Sequence, residues 1–220
     1  MGGVTPSRAV SPPSSSDAAG ARRVGRPRQY AEDVERGLIV EAGYTALREH
    51  QGEMTLGHVL QGAGVSTRSF YRHFESKDAL LCALYRRDAE YAARRVETRL
   101  QRADSPIAAV EAWIDEIYGF VRSARRAERV SVLGSIPALR AEGIDHEVAH
   151  GRELLVAPLR AAIERGIGTG AFAHADAHAV ADLLAVAILH GSGVQRVSSG
   201  HTVDQRETER WSRRALGVES

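Results

Sequence analysis

Residues 56–74 read LGHVLQGAGVSTRSFYRHF, and the fold turns on how this stretch divides. Leu56, Val59, Leu60 and Ala63 recur at i, i+3, i+4 and i+7, which is one face of a helix. Thr55, immediately before them, is a residue type that caps a helix N-terminus. The run GAGVS breaks the pattern, and Ser66 is a second N-cap, for a short helix TRSFYRHF. Two short helices separated by a break that holds a glycine and an apolar residue form a helix-turn-helix. Gly64 tolerates the sharp turn, and Val65 plugs the gap between the helices.

At about 100° per residue, Phe70 and Phe74 fall together on the second of these helices and must face a core. Arg68 and Arg72 fall nearly opposite, with Thr67 and Tyr71 on one flank and Ser69 and His73 on the other. Every face but one therefore carries a hydrogen-bonding group. Arginine can read guanine through a bidentate contact, and threonine can touch a thymine methyl. Hydroxyls and backbone N–H groups at a helix start, here at Ser66 and Thr67, suit phosphates. The whole face from Thr67 to His73, Arg72 included, is a candidate DNA-binding surface. An amphipathic helix with a merely solvated basic side is the alternative.

The flanks strengthen the first reading. Residues 1–29 are rich in Ser, Pro, Ala and Gly, with almost nothing to bury, and are expected to be a disordered arm. This arm holds five arginines against one acid; Arg26 and Arg28, in GRPR, make a narrow cationic strip of the kind that fits a minor groove. Helical periodicity begins at Ala31, with Glu32, Asp33 and Glu35 in the first turn, where acids suit the helix dipole. Ser76 caps a long fourth helix that starts at Lys77, the only lysine in the chain.

The stretch MTLGHVLQGAGVSTRSFYRHFESKDALLCALY, residues 54–85, resembles the DNA-binding signature of the tetracycline-repressor (TetR) family. Thr55, AGVS, FYRHF and SKDALL carry the resemblance, which extends over roughly residues 30–85. It implies that Thr67, Arg68 and Ser69 contact bases or nearby phosphates, that Tyr71 and Lys77 bind phosphate, and that Thr55 touches the backbone as well as capping. It also implies a second, helical domain that binds a small molecule and forms a homodimer. Two positions depart from the usual pattern: Leu60 stands where a small residue is common, and Gly57 where a charged polar one is common. Both bear on the operator sequence rather than on the fold.

The second half supports dimerisation independently. AHAVADLLAVAILHGSG has one charged residue, Asp182, and is apolar all the way round. Such a helix is buried on every side, one face on its own core and one on a partner. Leu183, Leu184, Ala187 and Ile188 are the candidate interface residues, completed by Trp211 on a closing helix. Trp113, Ile117, Tyr118, Phe120, His146 and His150 are candidates for an effector pocket, although cores use the same residue types.

The expected architecture is all-α, with about nine helices: a disordered arm over 1–29, a three-helix DNA-binding domain over 30–76, and a ligand-binding and dimerisation domain over 77–220. Low aromatic content, 5%, with abundant Ala and Leu, agrees with helices. A net charge of +1 excludes a uniformly basic protein but not a local basic patch. A lone cysteine, Cys82, excludes an intrachain disulfide and a cysteine zinc cluster. No signal-peptide core or membrane-spanning run is seen, so a cytoplasmic protein is the default expectation. No cofactor or metal is expected. The rival reading is a helical metal-binding protein or enzyme built on His146 and His150, or on His174 and His178, with Asp115 or Glu116. No nucleophile motif, phosphate loop or HExxH accompanies those residues.

Overall fold

The computed structural model describes residue 2 and residues 32–122, 136–173, 176–191 and 204–218. The arm with Arg26 and Arg28 lies outside these residues, as does His174. Among the described residues there are nine helices and no strand, as an all-α reading requires.

Local chemistry sets the boundaries of the first four. Helix α1, Glu32–Glu49, opens on Glu32, Asp33 and Glu35 and buries Ile39, Val40, Ala42, Ala46 and Leu47. Helix α2, Leu56–Ala63, is capped by Thr55, whose hydroxyl accepts from the His58 N–H at 3.2 Å. It ends where Gly64 takes φ 65°, the left-handed region. The Gly64 N–H then bonds Gln61 O, and the Val65 N–H reaches back to Leu60 O at 3.2 Å, the pair of bonds that defines a Schellman ending. Helix α3, Thr67–His73, starts at Ser66, whose hydroxyl accepts from the Ser69 N–H at 3.1 Å. Helix α4, Lys77–Gln101, starts at Ser76, which accepts from Ala79 N–H at 2.9 Å.

Five helices follow. They are α5, Pro106–Arg122; α6, Ile136–Leu139; α7, Ile144–Gly168; α8, Ala177–Gly191; and α9, Gln205–Ala215. Ser105 caps α5 and Asp176 caps α8 through side-chain oxygens that accept backbone N–H groups.

Burial gathers the helices into two apolar clusters. The first joins α1, α2 and α3 to Leu80, Leu81 and Leu84 of α4. The second joins Val96 and Leu100 of α4 to α5, α7, α8 and Leu216 after α9. The changeover between the two clusters thus falls inside α4. Helix α4 is one rod about 37 Å long at ~1.5 Å per residue, with an end in each cluster. Ala138, Ala141 and Ile144, at the α6–α7 corner, pack into the first cluster although they come late in the chain. The Glu142 N–H donates to Asp78 Oδ2 at 3.0 Å, and Arg86 Nε donates to Glu147 Oε2 at 2.9 Å, so this corner is also pinned to α4 by polar contacts.

Two glycines in this region have opposite requirements. A Cβ at Gly64 meets no atom within 4 Å, so only its positive φ resists substitution. Gly57 has no positive φ, and its added Cβ meets only the Thr55 hydroxyl at 3.8 Å. Gly64→Ala is expected to cost about 1 kcal/mol, and Gly57→Ala to stabilise by about 0.5 kcal/mol, in urea unfolding. Equal effects of the two would contradict this account of the turn.

Candidate nucleic-acid interface

Helix α3 is oriented by its aromatic residues. Phe70 is fully buried and Phe74 nearly so, with ring centroids 5.8 Å apart. The Arg36 guanidinium of α1 lies 4.9 Å from the centroid of the Phe74 ring, a cation–π distance. With that side turned inward, Thr67, Arg68, Tyr71 and Arg72 are exposed; Tyr71 keeps 53% of its surface open to solvent.

Ser69 and His73 do not share this face, which corrects the expectation that they meet DNA. Ser69 is buried and the His73 side chain is only 4% exposed. Both turn to Glu35 in the first turns of α1. The Ser69 hydroxyl donates to Glu35 Oε1, and His73 Nε2 donates to Oε2 at 3.0 Å. Arg72 also reaches Glu35 Oε2, and its second contact is to the Ser69 hydroxyl at 3.0 Å. The inward arc of α3 is therefore wider than its two phenylalanines, because a partly buried carboxylate satisfies the polar residues beside them. The Ser69 hydrogen bond is the largest influence holding the Glu35 carboxyl down at about 2, with His73 and Arg72 adding to it and burial opposing.

The other expected DNA residues among those described stand at the starts of α2, α3 and α4. Thr55 and Ser66 are exposed, their hydroxyls engaged as caps. Lys77 opens α4 with its side chain 45% exposed, and its ammonium lies 3.8 Å from Asp78.

The second domain changes the remaining assignments. Trp113 is fully buried, and its indole N–H donates to Leu155 O at 2.8 Å. Ile117 is core, Phe120 packs against the same cluster, and the Tyr118 hydroxyl bonds Thr208 at 2.8 Å. His146 and His150 are exposed on α7 instead. Trp113, Ile117, Tyr118 and Phe120 thus pack in or against the second cluster, while His146 and His150 lie on the surface of α7. His150 lines an open groove of about 410 Å³ between α4 and α7, beside Glu90, Arg94, Glu97 and Glu153.

On α8, Leu184 is fully buried in the chain's own core, which removes it from the expected interface, whereas Leu183 is 55% exposed. Val186, one turn on, and Trp211 of α9 are also exposed. The side chains of Ala187 and Ile188 lie outside the described residues. Among the described residues no group of three His, Cys, Asp or Glu side chains is placed to hold a metal ion. The acids enlisted by the rival reading are bonded elsewhere: Glu116 is buried and accepts from Arg95 Nε at 2.6 Å, and Asp115 accepts from Arg122 at 2.9 Å. No described helix is long and apolar enough to cross a membrane.

A short helix, a left-handed glycine turn and a second short helix with an outward arc of Thr, Arg and Tyr define a helix-turn-helix protein. Residues 36–84 match the family model described as bacterial regulatory proteins, tetR family. Solved structures agree over most of the chain. A TetR transcription regulator from Haloarcula marismortui ATCC 43049 is 22% identical with a TM-score of 0.64, covering 84% of this chain and 98% of that one. NemR from E. coli, in its reduced form, is 18% identical with a TM-score of 0.66, covering 85% of this chain and 99% of that one. No curated protein matches the sequence. Residues 36–84 thus resemble the tetR family, and the chain as a whole shares its fold with those solved structures.

The depressed carboxyl of Glu35 has a signed consequence for stability. Its folded pKa is below the unfolded value of 4.5, so its contribution is complete above 4.5 and is lost as pH falls toward about 2. Wild type is therefore expected to lose more stability than Glu35→Gln as the pH is lowered through that window, in urea titrations run across it. Parallel pH profiles for the two proteins would contradict the assigned hydrogen bonds.

Proposed function

We propose that this protein is a ligand-responsive transcriptional repressor. In this reading a homodimer binds a palindromic double-stranded operator and is released by a small, apolar effector. The observation that carries it is the outward arc of α3, where Thr67, Arg68 and Tyr71 are exposed on a helix whose other side is locked by Phe70 and Phe74. Arg68 reads base edges, Thr67 supplies a methyl and a hydroxyl, and Tyr71 and Lys77 hold phosphates. Thr55 and Ser66 bring the N-termini of α2 and α3 to the DNA backbone, and Arg26 and Arg28 of the arm follow the adjacent minor groove. The protein works in the cytoplasm without a cofactor.

Leu183, Val186 and Trp211 support the dimer. They are large apolar side chains exposed on two helices outside the cluster that holds α3, and pairing α8 and α9 with their copies covers them in a four-helix arrangement. Major-groove half-sites about 34 Å apart must both be engaged. An effector that shifts α4 changes the separation of the two α3 helices. The α6–α7 corner is suited to transmit such a shift, being tied to α4 through Asp78, Arg86 and Glu147. We take the effector to be apolar because the second core, from which its cavity would open, consists of Val, Leu, Ile and Ala around Trp113 and Phe172.

Arg68→Ala is expected to narrow the affinity ratio between a preferred and a random duplex by ~10-fold or more. Tyr71→Phe is expected to weaken binding to both by the same ~3- to 10-fold. Fluorescence anisotropy on the two duplexes distinguishes these outcomes, and equal losses across both duplexes for both variants would refute the division of roles. Leu183→Asp is expected to weaken dimerisation by at least ~10-fold in sedimentation velocity without altering helix content. A variant as dimeric as wild type would place the interface elsewhere.

A further inference from the structure

Helix α3 presents two exposed arginines one turn apart, Arg68 and Arg72, and the structure treats them differently. Arg68 has no ion-pair partner among the described residues. Arg72 is half exposed, yet its guanidinium is held by Glu35 and by the Ser69 hydroxyl. Glu35 comes from α1, 37 residues earlier in the chain, and lies beneath the same helix with its side chain 16% exposed. One of its oxygens serves Ser69, and the other serves Arg72 and His73. The carboxylate is thus fastened at three points.

Resting on the DNA-binding reading above, we propose that Glu35 is a specificity-determining residue: it cancels the charge of Arg72 on the DNA-facing side of α3 and leaves Arg68 as the reading arginine. Binding to any duplex, whatever its sequence, grows with the number of phosphates a protein neutralises, and each one steepens the salt dependence by ~0.9 in log–log slope. A second free arginine beside Arg68 would raise affinity for every sequence alike. Pairing it with a fixed carboxylate withholds that indiscriminate term and keeps the base contacts. A phosphate that competed for Arg72 would have to approach the Glu35 carboxylate, which repels it.

The test uses the full-length protein, a duplex selected by wild type from a random pool, and a random-sequence duplex of equal length. Glu35→Gln keeps the side chain's size and an acceptor while removing the charge. It is expected to bind the random duplex more tightly at low salt, and to steepen the salt slope by ~0.9 for each protomer engaged, a further ~3.5-fold loss per protomer between about 50 and 200 mM salt. The selected-to-random affinity ratio is expected to fall. The double variant Glu35→Gln/Arg72→Gln is expected to return the slope to the wild-type value. A Glu35→Gln slope equal to wild type, or a double variant as steep as Glu35→Gln, overturns the inference. Should Glu35→Gln fail to fold by thermal melting, Arg72→Gln alone decides. The inference then requires the slope to fall by well under half of one counterion per protomer, and a fall of a full counterion overturns it. Wild-type protein that binds neither duplex at any salt would overturn the DNA-binding reading itself and this inference with it.

Discussion

The burial of Phe70 and Phe74 against α1, α2 and the first turns of α4 is the constraint on which the rest of the molecule depends. A seven-residue helix cannot hold itself together in water, because nucleation is costly and so few residues repay it poorly. Helix α3 exists because two aromatic side chains one turn apart are driven into a core, and because Ser66 and the Gly64 turn define where it begins. The same burial fixes its rotation. Once Phe70 is inside, Thr67, Arg68 and Tyr71 have only one direction to face, so the apolar residues decide which polar residues can meet a partner.

Much of this was legible in the sequence because it is local. Thr55, Ser66 and Ser76 cap the helices their positions predict, since a cap needs only a side chain and an N–H two or three residues on. Gly64 takes the left-handed conformation that the turn demands. What was not legible depends on residues far apart in the chain. Ser69 and His73 look as polar as Arg68 on a helical wheel, and only Glu35, more than thirty residues away, shows that they belong to the inner side. Three acids open α1, and nothing in their spacing distinguishes Glu35 from Glu32 or Asp33.

The second domain was harder to read for a related reason. A helix that is apolar all round has no polar face to set its phase, so Leu183 and Leu184 were equivalent in sequence although one is exposed and the other fully buried. The aromatic residues of α5 posed the same problem: Trp113 satisfies its indole on Leu155 O and fills the core, a role that its sequence neighbours do not reveal. Helix α4 connects the two clusters, because it supplies leucines to the first and Val96 and Leu100 to the second. The α6–α7 corner also joins the first cluster. Both α4 and α7 therefore carry side chains in each of the two clusters.

The central claim is that the outward arc of α3 reads DNA sequence in a symmetric pair. Selection of duplexes from a random pool by the full-length protein, followed by sequencing of the bound fraction, tests it most directly. The account predicts enrichment of an inverted repeat, with the two halves about one helical turn apart or a multiple of that spacing. A bound fraction that matches the starting pool at every salt concentration would contradict it.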